Sequence, residues 1–92
     1  MTTERHVSVW DAIEDPGAAE NLKIRAALMQ ELSAYIERSG MTQAQAARRL
    51  GVTQPRISDL TRGKIDLFSI DTLVNMLAAA ELYLDLGVRE AG

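Results

Sequence analysis

Between Pro16 and Ser39 the apolar residues Ile24, Leu28, Leu32 and Tyr35, joined by Met29 and Ile36, recur at i, i+4, i+8 and i+11. That spacing lines one face of an α-helix. Lys23, Arg25, Gln30, Glu31 and Glu37 fall largely off the stripe. Asp15 can cap the helix, Pro16 suits its first turn, and Gly40 tolerates the left-handed backbone that closes it. Thr42-Gln43-Ala44-Gln45 has the form of a capping box: the threonine hydroxyl accepts from the amide three residues on, and the glutamine reaches back. The run that follows is about two turns long before Gly51 and carries Ala46, Ala47 and Leu50 on its inner side. Thr53 offers another cap, Gln54 and Pro55 take the next first turn, and the helix runs on to Thr61, with Gly63 as its stop. Lys64 to Phe68 reads as a linker. Ser69 then caps a last helix with Ile70, Leu73, Val74, Leu77 and Ala80 on one side.

The pattern changes after Ala80. Leu82, Leu84, Leu86 and Val88 alternate with Tyr83, Asp85, Gly87 and Arg89, the period of a strand, over 81–90. A shorter alternation, HVSVW, lies in the N-terminal arm, 1–15. A lone strand on a helical domain leaves backbone groups unpaired, so the C-terminal strand must find either the N-terminal one or its own copy in a second subunit. The second choice makes Leu82, Leu84 and Leu86 dimerisation residues. Pairing across a two-fold would set two copies of the central helix pair about 34 Å apart.

Ninety-two residues suffice for one domain, 1–92, and 47% hydrophobic with 25% charged residues is ordinary globular composition. With no cysteine and a single histidine, His6, the chain lacks thiolate ligands, a Cys nucleophile and a histidine pair. Neither an enzyme, a metal site nor a cofactor is expected. The absence of cysteine fits the cytoplasm, and the N-terminus does not have the form of a signal peptide. No segment is apolar over the ~20 residues that would span a bilayer.

A net charge of −3 argues at first against a nucleic-acid partner. By segment the picture reverses. Residues 41–64 carry Arg48, Arg49, Arg56, Arg62 and Lys64 against Asp59 alone, a local charge of +4, while both flanks are acidic. Screening confines exposed charges to about 8–10 Å, so the local sign governs a contact.

That basic segment, 42–64, holds a short helix, a turn at Gly51 and a second short helix. Two helices can cross steeply where a small residue, here Ala47, sits at the contact and a glycine turns the chain. Ile57 then plugs the shared core with Val52 and Leu60 around it, and the second helix faces outward. A major groove admits one α-helix, where Gln pairs with adenine and Arg with guanine. Gln54, Arg56 and Ser58 are the candidate base-reading residues. Thr42, Gln43, Thr53, Arg62 and Lys64 are placed for phosphates, which set register and affinity. Arg48 and Arg49 either join them or solvate the helix.

TQAQAARRLGVTQPRISDLTRG resembles the helix-turn-helix of the XRE family of Cro-like regulators, and GKIDLFSIDTLVNMLAAA is similar to a subgroup of HigA-type antitoxins. The resemblance implies a mainly α fold: a five-helix, lambda-repressor-like domain, to which the alternation adds a short C-terminal β-strand and, if HVSVW forms one, an N-terminal strand. It also implies a homodimer on double-stranded DNA with a palindromic operator, repressing its own operon. In many relatives it implies a RelE/HigB-like mRNA-cleaving toxin as partner. A stand-alone XRE regulator without a toxin partner shares the same matching residues, and a protein-interaction module that binds no DNA is the remaining alternative. HVSVW and the acidic flanks either meet a basic toxin or, with Val7, Val9, Trp10 and Ile13, pack on the domain itself.

Overall fold

The computed structural model describes residues 15–90, and the expected strand HVSVW lies outside the described residues. Four α-helices follow in order: α1 (Pro16–Ser39), α2 (Gln43–Leu50), α3 (Gln54–Thr61) and α4 (Ile70–Ala79), with a single 3-10 turn, Ile65–Leu67, before the last. Among the described residues the helical count is therefore four and a 3-10 turn, where five helices were expected. Residues 68 and 69 are extended and lead into α4, so the linker from Lys64 to Phe68 holds only the single 3-10 turn.

The starts follow the polar signals in the sequence. Asp15 accepts from the amides of Gly17 and Ala18, and Ser69 accepts from that of Thr72. Thr42 and Gln45 form the full reciprocal box, at 3.1 and 2.9 Å. Thr53 departs from expectation. It stands in the capping position with extended backbone, but only its carbonyl serves the helix, accepting from Arg56 and Ile57, and its hydroxyl makes no capping bond.

All four helices end in one and the same closure. The residue after the last turn is left-handed, its amide bonds back three residues, and the next amide bonds back five. Met41 thus reaches Ile36 O, Val52 reaches Ala47 O, Lys64 reaches Asp59 O and Leu82 reaches Leu77 O. Glycine fills the left-handed position three times, at φ of 67°, 72° and 73° for Gly40, Gly51 and Gly63. The fourth is Glu81, at φ 60°, where a side chain is strained.

The core draws on every helix: Leu28, Met29, Leu32 and Ile36 from α1, Ala46, Ala47 and Leu50 from α2, Ile57 and Leu60 from α3, Leu73, Met76 and Leu77 from α4, with Phe68 and Ala80. Three of the closing residues, Met41, Val52 and Leu82, pack against it. Two expected core positions do not belong to it. Ile24 and Val74 are each 38% exposed. On α1 the buried residues start at Leu28, and on α4 Met76 takes the inward place.

The C-terminal segment is corrected too. Among the described residues 81–90 there is no strand. Glu81 and Leu82 are consumed in closing α4, and beyond them the backbone finds no neighbouring strand among the described residues to supply ladder hydrogen bonds. Leu82 is half-buried on its own core, whereas Leu84, Leu86 and Val88 are exposed, the last two at 87% and 99%.

The contrast between the two threonine caps predicts unequal stability effects. Thr42→Ala should cost about 1 kcal/mol, lowering the melting temperature by about 4–8 °C, as expected for loss of a working cap in a chain of this size. Thr53→Ala should lie within about 0.5 kcal/mol of the parent. Thermal denaturation followed by circular dichroism measures both, and equal losses would contradict the assigned caps.

Candidate nucleic-acid interface

The unit that could meet a nucleic acid is built by α2, the turn at Gly51 and α3. Ala46 and Ala47 give α2 a surface without bulk, and α3 packs there through Ile57 and Leu60, which are 0% and 1% exposed. Gly51 makes the reversal possible: its φ of 72° is one that a side chain resists, and Val52 N–H to Ala47 O at 2.9 Å locks it. With its inner face so committed, α3 turns the other face outward. Gln54, Pro55 and Thr61 are exposed, and Arg56, Ser58 and Asp59 are half-buried at the edge of the packed face.

The residues expected to touch phosphate frame this helix. Thr42 and Gln43 open α2, both exposed. Thr53 opens α3 with a hydroxyl that the helix does not use. Arg62 and Lys64, both exposed, follow its last turn. Lys64 lies with Nζ 3.8 Å from Asp59 Oδ1, a partly exposed ion pair of small energetic weight. Lys64 is also the one closing residue of the four that is polar, so the end of α3 presents a cation where the other helices bury an apolar side chain.

Among the expected base-reading residues, Gln54 and Ser58 make no side-chain hydrogen bond within the described chain, while Arg56 does. Its Nη1 donates to Leu67 O at 3.1 Å, and its guanidinium stands 5.3 Å from the centre of the Phe68 ring. Arg49 is likewise engaged. It donates to Tyr35 Oη at 3.1 Å and to Ala80 O at 3.0 Å, with Glu81 Oε1 at 4.0 Å. The bond to the Tyr35 oxygen, more than the nearby Glu81, holds its guanidinium pKa above the ordinary arginine value. The local charge of +4 is therefore not all directed outward: two of its five cations bind backbone carbonyls of the protein itself.

Sequence reasoning missed Arg25, which it had placed off the packed face. It donates to Ile65 O at 3.0 Å and Phe68 O at 3.4 Å, with Nε on Asn21 Oδ1 at 2.7 Å. The available signal was the lone phenylalanine of the chain inside an assumed linker: such a ring is normally buried, and a buried segment needs partners for its carbonyls. The expected dimerisation residues are not brought together with this unit. Leu86 and Val88 line a shallow depression with Glu20, Lys23 and Ile24 of α1.

Among the described residues no helix is long and apolar enough to cross a membrane, and no cluster of three potential metal ligands occurs.

A family model described as a helix-turn-helix domain matches residues 12–89. Among solved structures, one of a protein assigned to the XRE family of transcriptional regulators superposes with a TM-score of 0.72 at 34% identity, covering 79% of this chain and 82% of the other. A search of curated proteins finds no match.

Proposed function

The chain belongs to the XRE helix-turn-helix family, and we propose that it is a DNA-binding transcriptional regulator whose α3 enters the major groove. The observation that carries this reading is the asymmetry of α3. Ile57 and Leu60 are sealed in the core, and the opposite side offers Gln54 and Ser58, with the cations Arg62 and Lys64 just past its last turn. Gln54 stands in the first turn of the helix, the part that approaches base edges in this geometry, and its amide can pair with adenine. Thr42, Gln43, Thr53, Arg62 and Lys64 hold the phosphates on either side. The acidity of the rest of the chain lies outside this surface.

Two finer proposals accompany it. The first is a homodimer on a palindromic operator, formed by the segment 83–89. Its alternating Leu84, Leu86 and Val88 are exposed, its backbone has no ladder partner among the described residues, and an identical segment supplies one. Leu82 drops out of the contact set, since it closes α4. The second is an antitoxin role: the acidic flanks suit a basic RelE/HigB-like toxin, opposite charge favouring encounter.

Fluorescence anisotropy with the promoter upstream of the gene tests the DNA reading. Binding should weaken with salt, with a log–log slope near about −2 per chain for about two phosphates neutralised by Arg62 and Lys64. Gln54→Ala should cost about 1–3 kcal/mol and relax the preference at one base pair, while Arg62→Ala should weaken all sequences alike and flatten the slope by about 1. Binding indifferent to salt and to both substitutions would sink the proposal. A chain ending at Leu82 keeps the closure of α4 and should sediment as a monomer; a truncated chain that still dimerises excludes the tail as the contact. Co-expression with the neighbouring open reading frame should yield a co-purifying complex if the antitoxin reading holds, and a chain purified alone speaks for a stand-alone regulator.

A further inference from the structure

The loop after the recognition helix is gripped from two sides by arginines. Arg25, reaching from α1, takes Ile65 O and Phe68 O, and its own aim is set by Asn21. Arg56, reaching from α3, takes Leu67 O and lies over the Phe68 ring, which is only 2% exposed. A three-residue 3-10 turn leaves carbonyls that no helix satisfies, and a guanidinium carries enough donors in one plane to serve several. The same loop begins at Lys64, whose amide is tied to Asp59 O at 3.0 Å and whose carbonyl receives Leu67 N–H at 3.0 Å. Lys64 is thus held between α3 and the clamped turn.

We propose that Arg56 is a positioning residue of the DNA-binding surface, not a reader of guanine. The inference rests on the DNA-binding reading above and assigns Arg56 a different part in it. Paired hydrogen bonds to a guanine edge need two guanidinium N–H groups projecting into the groove. Arg56 directs one to a carbonyl of its own chain and its face to a buried ring, and reaching a base would release both at once. Gln54 and Ser58 have no such commitment within the described residues. With Arg25, Arg56 sets the loop 64–68, and through it the direction in which Lys64 meets the phosphate backbone. Base selectivity is left to the other side chains of α3, and Arg56 acts through affinity alone.

The test uses the full chain and a duplex that the wild-type protein selects from a random pool, with anisotropy measured at several salt concentrations. Arg56→Ala should weaken binding about tenfold, by the same factor on the selected duplex and on every single-base variant of it, and should flatten the salt slope by about 1, the signature of a lost phosphate contact. Adding Lys64→Ala to Arg56→Ala should cost little more, because Arg56 works through Lys64, and the double-mutant cycle reads this directly. Arg56→Lys keeps a donor for Leu67 O and a cation for the ring, and should retain the base preference with affinity within about threefold of wild type. If Arg56→Ala erases discrimination at one base pair, Arg56 is a reader and the proposal fails. Losses from Arg56→Ala and Lys64→Ala that simply multiply also overturn it. Should circular dichroism show Arg56→Ala unfolded, Arg56→Lys decides by the same criterion of base preference. A wild-type protein that selects no sequence at all brings down the DNA-binding reading itself, an outcome distinct from the others, and this inference falls with it.

Discussion

The structure depends on how its helices stop. Each of the four ends with a left-handed residue and a pair of hydrogen bonds that return the chain over the last turn, and each closure sends the next residue in a set direction. At Gly40, Gly51 and Glu81 the direction is inward, and Met41, Val52 and Leu82 join the core. At Gly63 it is outward, and the residue is Lys64. Two of the helices, α2 and α3, have only eight residues, too few to persist alone. Their crossing angles come from these closures and from the alanine surface of α2, and α3 can offer a face to a ligand only because the stop before it and the stop after it leave no freedom in its placement.

Much of this was legible. The polar caps at Asp15, Thr42 and Ser69 and the glycines at 40, 51 and 63 are short-range signals, each acting over a few residues, and the structure uses them as the sequence implied. The core of α2 and α3 was legible for the same reason: Ala46, Ala47, Leu50, Ile57 and Leu60 occupy the inner positions of two brief, well-marked helices. Signals that depend on distant partners were not legible. Ile24 and Val74 fit the helical period but lie where none of the described helices buries them. Thr53 has the right residue type for a cap, yet its hydroxyl is left out of the closure that its carbonyl makes.

The arginines show the same limit more sharply. Counting charge by segment located the basic surface, and composition could go no further, because a guanidinium serves a phosphate, a carboxylate or a backbone carbonyl with equal competence. Arg25, Arg49 and Arg56 all donate to carbonyls around a 3-10 turn or at a helix end. Which carbonyls those are is a property of the tertiary fold: Arg25 and its acceptors are separated by 40 and 43 residues. The outward positive surface is consequently narrower than the charge count suggests, resting on Arg48, Arg62 and Lys64 with the uncharged donors around α3.

Alternation from Leu82 to Val88 reads as a strand of uniform character, but its first member belongs to the closure of α4, and the closure is made by a glutamate in a conformation that glycine prefers. Strain of that kind persists where surroundings hold it. Here the holding group is Arg49, which stands on α2, caps the open carbonyl of Ala80 and lies 4.0 Å from Glu81. The direction in which the tail leaves the domain is therefore set by a residue of the helix-turn-helix itself. If two tails pair, as proposed, the spacing between the two copies of α3 is transmitted through Arg49 and the end of α4, with few freely rotating residues between the dimer contact and the reading surface. A dimer built so has its half-site spacing written into the fold of each chain.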